Sequence, residues 1–147
     1  MNTDSLDVEK WIHFAQMDFD SAAALAERFR PPIEVVSYLC QQSAEKILKA
    51  YTIANTDILI KTHILKDLLK VSIQYCSGFD KFKIICERLT PYITLARYPS
   101  NIDLTDQDMK QALKDANDVL EFTKSKLAEM GFSFAEINKL TSPNNIT

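Results

Sequence analysis

The sequence predicts an all-α fold, an up-and-down antiparallel bundle of about five helices, and three observations carry that prediction. Apolar residues recur at three- and four-residue steps through most of the chain, the period of a helix with one buried face. Only two glycines, Gly78 and Gly131, interrupt 147 residues, which suits long helices joined by short turns. No segment alternates with the two-residue period of a half-buried strand. The hydrophobic share of 46% against 25% charged residues is a globular balance, and the length is ample for one core.

Each element follows in order. The first helix is predicted from about Ser5 to Arg28, with Val8, Trp11, Ile12, Ala15, Phe19, Ala22, Leu25 and Phe29 as its apolar stripe. Pro31-Pro32 ends it, and Pro32 suits the first turn of a second helix reaching about Ala54. That helix carries Ile33, Val36, Leu39, Cys40, Ser43, Ala44, Ile47, Leu48 and Tyr51 inward. After a polar connector over 55–62, Thr62 is the expected N-cap of a third helix over His63–Tyr75, with Ile64, Leu65, Leu68, Leu69 and Ile73 buried. Cys76-Ser77-Gly78 breaks it, and a fourth helix starts near Phe79. Pro91 is expected to kink or restart that helix by pushing Thr90 out of the helical region. Thr105 opens the fifth, with Asp106 and Asp108 in its first turn and Gly131 as its C-terminal stop. Residues 1–131 thus form the bundle. Residues 132–147 form a tail in which Phe134, Ile137 and Leu140 have the spacing to dock one helical turn.

Several function classes are excluded at this level. Two glycines cannot build a dinucleotide-binding or P-loop phosphate cradle, and neither motif is present. His13 and His63 are the only histidines, and neither has cysteine or carboxylate neighbours at metal-ligand spacing, so no metal and no cofactor is expected. No apolar run is long enough to span a bilayer, and the opening MNTDSLDVEK has no signal-peptide core. Cys40, Cys76 and Cys86 each sit in an apolar pattern and read as reduced core thiols, which implies a cytoplasmic location. Charge is uneven: residues 1–45 carry three basic and eight acidic side chains, residues 46–97 nine and four, and the rest five and eight. A basic centre between acidic ends is either a solvated face or an anion site.

Two stretches stand out for chemistry. In QQSAEKILKAY (41–51), Gln42, Glu45, Lys46 and Lys49 lie three and four residues apart, so they share one helix face. As a solvated face this offers surface ion pairs worth about 0.3–0.5 kcal/mol each. In Ala96-Arg97-Tyr98-Pro99 an arginine stands at a helix end beside an aromatic residue and a proline stop. Its guanidinium can satisfy helix C-terminal carbonyls or grip a phosphate bidentately.

The strings QQSAEKILKAY, THILKDLL and ARYP, in that order and after an opening WIHFAQMDFDSAAAL, resemble the HEPN family (higher eukaryotes and prokaryotes nucleotide-binding) over about residues 8–127. The resemblance implies a helical bundle, usually a homodimer. It also implies one of two lineages. One comprises stand-alone modules similar to nucleotidyltransferase substrate-binding domains, paired with a separate minimal nucleotidyltransferase as a toxin–antitoxin couple. The other comprises metal-independent ribonucleases with an R-x4–6-H motif. This chain departs from the second pattern. Arg97 matches the arginine, but Ile102, Asp103 and Leu104 occupy the three positions open to the histidine, and none transfers protons as an imidazole does. The reading that follows is a nucleotide- or anion-binding module with no catalytic residue, in which Arg97 is the phosphate fork, Lys46 and Lys49 are auxiliary charges and Tyr98 is a stacking surface. Its rivals are a ribonuclease with a degenerate site and a purely structural helical adaptor, and RNA stands beside nucleotides as a ligand.

Removal of divalent metal tests the metal-free reading. EDTA should leave the melting temperature unchanged, and a drop of several degrees would reveal a metal site.

Overall fold

The computed structural model describes residues 6–95, 97–99 and 102–132, and among these there are helices and turns but no strand. Helix α1 spans Val8–Ala26, α2 Ile33–Thr56, α3 Leu65–Tyr75, α4 Lys83–Leu89, α5 Tyr92–Leu95 and α6 Asp106–Glu129. A 3-10 segment, Ser77–Phe82, joins α3 to α4. No described helix is long and apolar enough to cross a membrane. The expected tail positions Phe134, Ile137 and Leu140 lie outside the described residues.

Helix α1 starts about three residues later than predicted because Asp7 is the cap: its carboxylate accepts from the backbone N–H of Lys10 at 3.2 Å. It also ends early, at Ala26, and the chain reaches the prolines through Arg30 at φ 54°. Phe29 therefore falls beyond the helix and is 89% exposed, not part of the apolar stripe. Helix α2 outlasts its expected end at Ala54 and stops where Asp57 takes a left-handed conformation (φ 58°), one that aspartate tolerates better than most residues.

Helix α2 is the central element, packing on α1, α3 and α6. It runs antiparallel to α1, since Ala15 meets Ser43 while Trp11, nearer the start of α1, meets Lys49, nearer the end of α2. The connector after α2 does not simply turn upward into the next helix. It retraces α2, and His63 arrives beside Glu45, about 16 Å back along the axis from Thr56. Helix α3 then starts at Leu65, so Ile64 lies off its buried face, with half its surface exposed. Thr62 is not the N-cap residue. Its hydroxyl nevertheless accepts from the Ile64 N–H at 3.1 Å and donates to Asp67 at 3.1 Å, which fixes the approach to α3.

Gly78 breaks the chain where expected, and its reason is steric: a Cβ there would stand 3.0 Å from the Phe122 ring. That close approach lets Phe79 pack on Tyr51 (4.6 Å between centroids) and edge-on to Phe122 (5.0 Å). At Pro91 the chain restarts as predicted, but Thr90 keeps helical angles (φ −53°, ψ −43°). Its hydroxyl donates to the Cys86 carbonyl at 2.8 Å, which holds it in the helix against the preference imposed by the proline. Helix α6 opens with a full capping box, Thr105 and Asp108 exchanging side-chain and backbone bonds. Gly131, at φ 97°, ends it. Deeper in, Arg88 of α4 holds Asp115 of α6 through two bonds of 2.8 Å, and Gln111 donates a third.

All three cysteines are free thiols, Cys40 and Cys86 buried and Cys76 half-buried. Burial, reinforced by the nearby Asp115 carboxylate, pushes both buried thiols from 9.0 up to about 12. Above pH 9 the unfolded chain releases these protons and the folded chain keeps them, so stability should be full below pH 9 and fall progressively between pH 9 and 12. A disulfide reagent such as DTNB should accordingly label only Cys76 in the native protein and all three thiols in denaturant; labelling of two or more native thiols would contradict this packing.

Candidate functional site

A helix turns about 100° per residue, so positions 38, 42, 45 and 49 of α2 fall within about 60° of one another. They carry Tyr38, Gln42, Glu45 and Lys49. Part of this face was expected to be solvated surface. Instead Glu45 is 3% exposed and Lys49 7%, because α2 is the helix that every other layer packs against.

A buried carboxylate needs donors, and Glu45 has three. Its Oε2 accepts from the Lys49 ammonium at 3.0 Å, while Oε1 faces Gln41 Nε2 at 3.2 Å and His63 Nδ1 at 3.0 Å. The Gln41 amide also donates to the His63 carbonyl at 3.3 Å, and its own oxygen accepts from Gln42 at 2.7 Å. The Lys49 ammonium lies 5.7 Å from the centre of the Trp11 ring on α1, close enough for a cation–π contact. This is a buried ion pair, and removal of either charge leaves the other stranded at a cost of about 3–5 kcal/mol.

Arg97 follows α5 in a tight turn, its backbone N–H donating to the Thr94 carbonyl at 3.1 Å. Its guanidinium carbon lies 5.3 Å from the centre of the Tyr38 ring, and the residue is exposed. Among the described residues it forms no ion pair and its side chain caps no carbonyl. Tyr98, 65% exposed, stands beside it. Both border a recess of about 360 Å³ that Glu34, Leu95, Pro99 and Asp103 also line.

The four residues singled out in the sequence are therefore not equivalent. Arg97 and Tyr98 are adjacent and open. Lys49 shares the face of α2 that carries the Arg97–Tyr38 cation–π contact, but its charge is held by Glu45. Lys46 is rotated by about 70° toward α1, where it pairs with Asp18 at 2.6 Å and faces Phe14 at 5.9 Å. No contact among the described residues joins His63 to Arg97. Sequence reasoning missed His63, Gln41, Trp11 and Tyr38 as members of this face. The three- and four-residue spacing on α2 was a signal for Gln41 and for Tyr38, whereas Trp11 and His63 reach α2 through tertiary packing.

No group of three histidine, cysteine or acidic side chains among the described residues could hold a metal ion. The burial of Cys40 and Cys86 makes them poor nucleophiles, since the thiolate is the reactive form.

All four sequence strings meet here. Trp11 comes from the first, Gln41 to Lys49 from the second, His63 from the third and Arg97 from the fourth, each in contact with α2. The family model for the HEPN domain matches residues 8–127. No curated protein and no solved structure was found to match the chain. With the match covering most of its length and the motif strings gathered on one helix face, the chain belongs to the HEPN domain family, whose members are nucleotide-binding and ribonuclease-type modules.

Proposed function

We propose that this protein is a nucleotide-binding interaction module, a homodimer that works beside a separate minimal nucleotidyltransferase as one half of a toxin–antitoxin couple. The observation that supports it most is Arg97: an exposed residue whose guanidinium lies over the Tyr38 ring and is free of ion pairs among the described residues. The ring holds the guanidinium near α2 without neutralising it, and a guanidinium meets phosphate oxygens bidentately. Tyr98 supplies an aromatic face beside it. Glu34 and Asp103 line the same recess as Arg97 without pairing with it among the described residues. Lys49 and Lys46, each held by a carboxylate, serve by fixing the face rather than as free charges. Ribonuclease action of the R-x4–6-H type is disfavoured by Ile102, Asp103 and Leu104 in the histidine positions.

Substitution of Arg97 tests the site. Arg97→Lys should keep the fold and weaken ATP binding by roughly 1.5–3 kcal/mol, the worth of a charge-assisted bond. Unchanged affinity with a lowered melting temperature would make Arg97 structural and end the proposal. Assembly is tested separately: light scattering at micromolar concentration should give a dimer, and a clean monomer would remove the dimeric part of the reading.

A further inference from the structure

His63 is the one member of the α2 face that combines a buried anchor with an open end. Its side chain is 68% exposed, yet Nδ1 lies 3.0 Å from the buried Glu45 Oε1. That contact decides the tautomer. Glu45 already faces the Lys49 ammonium and takes the Gln41 amide, so it acts as an acceptor and has no proton to give. His63 must then donate from Nδ1, and in the neutral ring Nε2 carries the lone pair. Nε2 is at the far end of the ring from Glu45, on the exposed side, and has no hydrogen-bond partner among the described residues. The protein thus presents a fixed acceptor, aimed outward by a carboxylate that cannot move without breaking a buried ion pair.

The position of that acceptor relative to Arg97 gives it a use. Arg97 lies over the Tyr38 ring and His63 is hydrogen-bonded to Glu45, seven residues further along one face of α2, so the two anchoring positions on the helix are about 10 Å apart along its axis. Gln42 lies between them. A ribose joined to an extended phosphate chain bridges such a gap, with the phosphate on the guanidinium and a sugar hydroxyl at the imidazole. A hydroxyl is the group that matches, because it donates to a neutral imidazole nitrogen, whereas a phosphate oxygen only accepts.

We infer that His63 is a ligand-contacting residue that accepts a hydrogen bond from a ribose hydroxyl, so that the site selects ribonucleotides over deoxyribonucleotides. The inference rests on the nucleotide-binding reading above and adds the sugar to it. Its energetic logic is that of a site built to meet a polar group: a ligand lacking the hydroxyl leaves a desolvated acceptor without a partner.

Titration calorimetry at pH 8 tests this with ATP, 2′-deoxy-ATP and 3′-deoxy-ATP against the wild type and His63→Ala. The wild type should bind ATP about 5–10-fold more tightly than at least one of the deoxy analogues, the loss of one hydrogen bond. His63→Ala, which removes one of the three donors to Glu45, should lower the melting temperature but leave the protein folded, lower ATP affinity to the level of that analogue and abolish the difference. Equal affinity of the wild type for all three ligands, with binding still dependent on Arg97, would overturn the role of His63 and leave the nucleotide reading standing. A difference that survives in His63→Ala would assign selectivity elsewhere and also overturn it. Absence of binding to any of the three would overturn both readings together.

Discussion

The structure depends on a buried carboxylate. Glu45 sits on the central helix with almost no surface and is tolerable there only because Lys49, Gln41 and His63 all address it. Each of those partners does a second thing. Lys49 reaches the Trp11 ring and so joins α1 to the network; the Gln41 amide also binds the His63 carbonyl and so holds the connector against α2. A salt bridge of this kind contributes little net stability over an apolar substitute. Its contribution is specificity of arrangement: with one carboxylate and a fixed number of donors, α1, α2 and the connector have one register in which every charge is met.

The exposed end of the face has the opposite design. Arg97 is left without a carboxylate among the described residues and rests on an aromatic ring, which orients a guanidinium without neutralising it. The recess nearby carries two carboxylates, Glu34 and Asp103, that line it without binding the side chain. Within one helix face the protein thus keeps a closed, self-satisfied cluster about two turns away from an open cation. The first gives rigidity, and the second leaves a guanidinium open to solvent.

Most of the fold could be read from periodicity, and the places where it could not have clear physical causes. The helices of 19 and 24 residues emerge from apolar spacing to within a few residues at either end. Phe29 was assigned to a stripe that the chain leaves at Ala26, since a hydrophobic residue beyond a helix end has the same spacing as one within it. Thr90 stayed helical before a proline because the bond from its hydroxyl back to the Cys86 carbonyl outweighed the preference that the proline imposes. The candidate site was half legible. Arg97 and Tyr98 announced themselves by position, and Glu45 and Lys49 by spacing, but the burial of the latter pair was invisible: nothing in 41–51 says how many neighbours α2 has. His63 was the least legible of all, because its place depends on a connector that doubles back instead of turning.

The hydroxyl of Thr90 does more than hold its own helix. It donates to the Cys86 carbonyl on α4 and, at 3.3 Å, accepts from the N–H of Leu65, the first residue of α3. Leu65 follows two residues after His63, and Thr90 stands directly before the turn that leads through Pro91 and α5 to Arg97. One oxygen atom therefore spans the two strands of chain that deliver the imidazole and the guanidinium to α2. The tether is one side chain long, so the connector that carries His63 and the turn that carries Arg97 share a fixed point on α4.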